Sequence, residues 1–303
     1  MNGLDQRRAR TAVFRLVTGA VMISFSGVWV KISLVTPAAS AFYRVLFGGI
    51  LLLAAAIWRR ELKWPEIRQL ALTLTCSILF ALDLIFYHSS IIYVGPGLGT
   101  ILPNFQVFIL AAVGILFLKE KIRWSLLLAI PLAFLGLFLI VGIDWSGLDP
   151  QYKIGVYFGL AAAGGYAGFL LSLRKLQTDQ AGASVFFVLM AVSLITAVFL
   201  AAEIIRTEDT FAIPDLQSLI SLTALGLFSQ SLGWVVITNA LPQIRTSLSG
   251  LILLLQPALA FVWDVLFFHR PTSAANWLGV LLVLIAIYLG TVKPTRTFPG
   301  ASG

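Results

Sequence analysis

Apolar runs of about 20 residues follow one another along the chain, separated by short stretches that hold most of its charge. A helix needs about 20 apolar residues to cross roughly 30 Å of hydrocarbon at about 1.5 Å per residue. The runs therefore predict membrane-spanning helices at 12–34, 38–58, 68–89, 97–118, 124–143, 154–173, 184–205, 215–238, 246–268 and 274–293. The expected fold class is an all-α membrane protein with ten transmembrane helices in contact with a lipid bilayer. The basic start and Ala39-Ser40-Ala41 imitate a cleavable signal. The run from Ala12 to Leu34 is longer than a signal core, however, and reads as the first membrane helix.

Composition agrees with that reading, since 59% of residues are hydrophobic and 11% charged, against about 25% charged in soluble domains. A net charge of +8 does not imply nucleic acid, because the basic residues sit between apolar runs and form no basic face. They report topology instead, as positive loops stay in the cytoplasm. Of the 21 Lys and Arg, 16 gather on one side: Arg7, Arg8, Arg10, Arg15, Arg59, Arg60, Lys63, Arg68, Lys119, Lys121, Arg123, Arg174, Lys175, Arg245, Lys293 and Arg296. The other side holds Lys31, Lys153, Arg206 and Arg270, and Arg44 lies inside the second span. Both termini are expected in the cytoplasm. The lone Cys76 excludes an intrachain disulfide or a CxxC site, and neither a metal nor a cofactor is expected.

Shifted by 150 residues, Gln106-Val107-Phe108 to Lys119-Glu120 falls on Gln256-Pro257-Ala258 to His269-Arg270. The odd number of five spans per half means that the second half enters the bilayer upside down. The predicted units are 12–143 and 154–293, two inverted five-helix repeats joined by the hydrophilic link Asp144 to Lys153. Such repeats place a substrate site near the midplane and permit alternating access.

Trp29-Val30-Lys31 ends the first span, Phe42-Tyr43-Arg44 lies in the second, and Leu116-Phe117-Leu118-Lys119-Glu120-Lys121 closes the fourth. With a Leu-Gly pair repeated as Leu135-Gly136 and Leu278-Gly279, these stretches resemble the EamA-type transporters of the drug/metabolite transporter superfamily. In the second repeat Gln256-Pro257 is kept, but His269-Arg270 replaces the acidic ending. The resemblance implies a secondary carrier of a small-molecule substrate in a bacterial inner membrane, working as a monomer or homodimer. It further implies export of amino acids or related zwitterions, or, alternatively, import of a cofactor, a nucleoside-like compound or another metabolite.

Charged groups at membrane depth cost roughly 2.5–3.5 kcal/mol on insertion scales and need a partner or an aqueous cavity. Arg44 and Asp83 lie at similar depth toward the outside, either as a buried ion pair or snorkelling separately. Cys76, Phe80, Asp83 and Tyr87 share one helical face, expected to meet the cavity. Gln106, Gln230 and Gln256 fall near the centres of their spans, where they form either a binding layer or interhelical glue. Trp234, Asn104 and Tyr166 join the candidate substrate-binding residues. Trp29 and Trp263 either stack on substrate or anchor at the interface, whereas Trp58, Trp64, Trp124, Trp145 and Trp277 read as anchors. Lys31, Asp264 and Glu203 read as hydrated interfacial groups, and His88, five residues past Asp83, is badly spaced for a proton relay. Glycine and proline at Gly95-Pro96-Gly97, Pro103 and Leu241-Pro242 mark either hinges or tight turns. No P-loop, HExxH or GxSxG pattern occurs, so no catalytic residue is assigned and the expected energy source is a gradient.

Overall fold

The computed structural model describes residues 3–62, 67–120, 124–141, 150–178 and 184–291. Trp64, Trp145, Lys63, Lys121, Arg123, Lys293, Arg296 and most of the link after Asp144 lie outside the described residues. Nine described helices are long and apolar enough to span a bilayer: α1 Arg10–Ile32, α2 Pro37–Trp58, α3 Ile67–Val94, α4 Gly99–Leu116, α6 Gln151–Thr178, α7 Val185–Arg206, α8 Leu216–Gln243, α9 Thr246–Phe268 and α10 Ala274–Thr291. The shorter α5, Trp124–Val141, is the tenth, and no strand occurs among the described residues. The outer surface is apolar, with Leu128, Ile220 and Tyr288 all largely exposed, as lipid-facing positions require.

The pattern of neighbours carries the inverted symmetry. The most extensive contacts join α3 to α6, α5 to α10 and α2 to α7, with α1 against α8 and α4 against α9. Moving each helix five places along exchanges α3–α6 with α8–α1 and leaves the other three pairs unchanged. At the α5–α10 crossing, a Cβ on Gly136 would sit 2.6 Å from the Gly279 carbonyl, and one on Gly279 would meet the Gly136 carbonyl in turn. This reciprocal contact brings α5 and α10 into close backbone approach.

The helix ends repeat as well. The non-glycine residues with positive φ are Arg60 after α2, Glu208 after α7, Lys119 after α4 and His269 after α9. Glu120 N donates to Gly114 O just as Arg270 N donates to Asp264 O. The 150-residue register between α4 and α9 is thus written in backbone geometry, with little side-chain identity behind it.

Several spans are interrupted near their middles. In α1 the break falls at Phe25, where Ser24 and Ser26 hydroxyls bond back to Val21 and Ile23 carbonyls, a pattern that bends helices. The α4 helix has a 3₁₀ turn at Leu102–Phe105 containing Pro103, while α9 breaks at Leu254. A π stretch, Leu225–Gly233, lies within α8. Helical backbone conformation extends from Ile67 to Ile101, past the expected Gly95-Pro96-Gly97 turn. Yet a Cβ on Gly99 would sit 3.1 Å from Ile91 Cα, whereas eight residues of straight helix span about 12 Å. The chain therefore turns back between α3 and α4.

Candidate functional site

A cavity of about 700 Å³ opens between the two repeats. Its mouth carries Lys31, Asp264, Phe268 and Arg270, and its wall includes Arg44, Asp83, Tyr87, Asn104, Tyr166 and Gln256. The deep end is aromatic. Trp234 packs edge-on against Phe169 at 4.8 Å and Phe80 at 6.1 Å, while Phe80 stacks on Phe169 at 4.2 Å. Gly165 lets α6 approach α3 closely: a Cβ there would be 2.9 Å from Asp83 N. That contact fixes the backbone presenting Asp83.

Among the expected site residues, Phe80, Asp83, Tyr87, Asn104, Tyr166, Trp234 and Gln256 line this cavity together. Asn104 Nδ2 donates to the Thr100 carbonyl at 2.8 Å, covering an acceptor in the turn around Pro103. Other expected residues lie behind the wall. Gln106 is fully buried, with its Nε2 3.5 Å from Gly250 O at the α4–α9 crossing. Gln230 is buried within the π stretch; it accepts from Arg44 Nε at 3.2 Å and donates to Ser193 Oγ at 3.0 Å. Trp29 stacks on Phe228, and Trp263 stacks on Phe25 and donates to Ser24 Oγ at 2.8 Å. Trp58 and Trp124 are highly exposed, as interfacial anchors are. His88 packs beside Tyr87 and is not part of the cavity wall.

The expected Arg44–Asp83 ion pair is replaced by a looser arrangement. Both side chains line the cavity and interact electrostatically, but among the described residues no salt bridge joins them. The guanidinium turns to Gln230 instead, because the π stretch carries that amide in front of it. Gly48 leaves room for the Gln230 side chain at this crossing.

Interfacial groups read as merely hydrated have partners at the mouth. Lys31 Nζ lies 2.6 Å from Asp264 Oδ1 and Arg270 Nη1 3.6 Å from Oδ2, joining α1 to α9. Lys31 and Arg270 also lie over the Phe268 and Phe261 rings. The Lys31 contacts cross between repeats, and no local spacing could reveal them.

Away from that mouth, Glu120 ties the end of α4 to the start of α9. Its carboxylate accepts from Thr246 N at 2.6 Å, Ser247 N at 3.3 Å and Ser247 Oγ at 2.7 Å. These amides begin α9, whose own N-cap residue, Arg245, makes no side-chain capping bond. Glu120 thus caps α9 from the end of α4, satisfying donors that a helix start leaves free. Beside it, Arg174 Nη1 donates to the Ile244 carbonyl and faces the Glu120 charge. At the equivalent position on the open side stands Arg270, which cannot accept such bonds. A different pair is clasped at both ends: Thr36 Oγ1 donates to Asp209 at 2.8 Å, and Ser184 Oγ donates to Glu61. These two links join α2 to α7 at symmetry-related positions.

A cavity at the interface of two inverted helical repeats, within a bundle of apolar membrane-length helices, defines an integral membrane transporter in contact with lipid and a small-molecule substrate. The sequence matches the EamA-like transporter family over residues 10–142 and again over 153–292, and the chain belongs to that family. Similar proteins include the uncharacterized transporters YwfM and YvbV of Bacillus subtilis. YwfM is 25% identical, with 86% of each chain covered. YvbV is 27% identical, covering 88% of this chain and 86% of that one. An uncharacterized transporter of Archaeoglobus fulgidus is 23% identical over 88% of this chain and 93% of its own. One crystal structure shares the fold with a TM-score of 0.80 at 16% identity, covering 93% of this chain and 98% of the other.

Proposed function

We propose that this chain is a gradient-driven carrier that exports an amino acid or related zwitterion across a bacterial inner membrane by alternating access. The observation that supports this most is the one-sided cavity: accessible past Lys31, Asp264 and Arg270, closed beyond Trp234, and latched at the far end by Glu120. With both termini in the cytoplasm, the open end faces outward. Exchanging the conformations of the two repeats generates the opposite state. By the 150-residue register, Gln256, Pro257 and Ala260 of the present wall give way to Gln106, Val107 and Leu110 in that state. Gln106 and Gln256 then serve the site in turn, one exposed while the other is buried.

Purified protein in liposomes loaded with radiolabelled amino acids tests the reading. Saturable counterflow is the expected result, with net flux following an imposed gradient. An unsaturable electrical current, or no flux for any amino acid, overturns it.

A further inference from the structure

We propose that Arg44 is the residue that reads the substrate's carboxylate, held in register for that task by Gln230 and Ser193, while Asp83 receives the substrate's ammonium group. The proposal rests on the carrier reading and adds the chemistry of recognition. Two opposite charges line one cavity without a salt bridge between them. Each lies at a depth where a charge without a direct partner is costly, and a zwitterion supplies a direct partner to both. A simple amine would leave Arg44 unmatched, and a simple anion would be repelled by Asp83.

The guanidinium is prepared rather than merely present. Its Nε donates to Gln230 Oε1 at 3.2 Å, and that amide is anchored by donation to Ser193 Oγ at 3.0 Å. Both Gln230 and Ser193 are buried, and with Nε so engaged, the planar fork keeps its Nη donors for a carboxylate. One further donor in the cavity wall, Trp234 Nε1, is buried with no hydrogen-bond partner. Buried donors without acceptors are uncommon in folded proteins. An indole N–H in the wall that Arg44 also lines offers a second donor to an acceptor group of the substrate. Gln230 is therefore a positioning residue, acting on substrate only through Arg44.

Thermal stabilisation of the detergent-solubilised full chain is measured against the twenty amino acids and the primary amide of each one that binds. At least one amino acid is expected to stabilise the wild type, and its amide to bind about 10- to 100-fold more weakly, the value of a charge-assisted contact. Arg44→Gln should abolish the preference for acid over amide. Arg44→Lys, which keeps the charge but loses the fork, should weaken binding about tenfold and decides the matter if the Gln variant does not fold. Gln230→Ala should raise KM with little change in kcat, and Gln230→Glu should recover part of the loss. Equal binding of acid and amide, unchanged preference in Arg44→Gln, or no stabilisation by any amino acid overturns the assignment. The carrier reading fails separately, if a stabilising amino acid shows unsaturable flux.

Discussion

Glu120 should control which side of the transporter is open. Replacing it with Gln removes the charge from three hydrogen bonds made to Thr246 and Ser247, at 2.6, 3.3 and 2.7 Å; Glu120→Ala removes the acceptors altogether. Loss of an N-cap costs about 1 kcal/mol, and a hydrogen bond to a charged acceptor contributes about 1.5–3 kcal/mol. Allowing for the partial exposure of Glu120, Glu120→Ala should disfavour the sealed state by about 2–3 kcal/mol. If the sealed state outnumbers the alternative by about 99 to 1, a shift of about 2.7 kcal/mol makes the two nearly equal. Leu110 offers a reporter. It is buried between the latch and the cavity, against Gly250 of α9, and corresponds to the cavity-lining Ala260. In a Cys76→Ser background, Leu110→Cys should react slowly with a thiol reagent added from the Glu120 side. Adding Glu120→Ala should raise that rate by at least tenfold, the Gln variant falling between. An unchanged rate in a folded, transport-competent double variant would refute the latch and the repeat-exchange reasoning with it.

Other expectations follow from particular contacts. Gly136→Val brings a Cβ to 2.6 Å from the Gly279 carbonyl; overpacking of about 1–3 kcal/mol should lower Tm by roughly 2–10 °C in a detergent melt. Glu208 holds φ at 55°, a conformation that costs an L-residue about 1–2 kcal/mol, so Glu208→Gly should melt no lower than wild type and Glu208→Val distinctly lower. Asp215 caps α8 by accepting from Ser218 N at 2.7 Å, and that amide holds its carboxyl below the usual carboxylate range. A depressed carboxyl stabilises the fold above its unfolded value of about 4 and loses the effect as pH falls. Protection of the Ser218 amide from hydrogen exchange should therefore decline on acidification and be reduced at neutral pH in Asp215→Ala, but not in Asp215→Asn.

Much of the architecture was legible in the chain because a bilayer leaves few choices. A hydrocarbon core sets the length of each apolar run, and backbone groups without water must bond within helices. The ten spans and the α4–α9 register therefore follow from local pattern alone. Helical spacing likewise grouped Phe80, Asp83 and Tyr87 on the face that lines the cavity.

What tertiary structure decided is which polar residues meet. Gln106 and Gln256 occupy equivalent places in sequence, yet one is buried at a helix crossing and the other faces the cavity. Arg44 turns to Gln230, and not to Asp83 at similar depth, because the π stretch of α8 brings that amide within reach. Glu120 caps α9 because it meets the first amides of that helix, 126 residues along the chain, a partnership that no local spacing encodes. Hydrophobic periodicity is a property of one helix against its solvent, whereas a cavity, a latch and a charge without a salt bridge are properties of helices placed against each other.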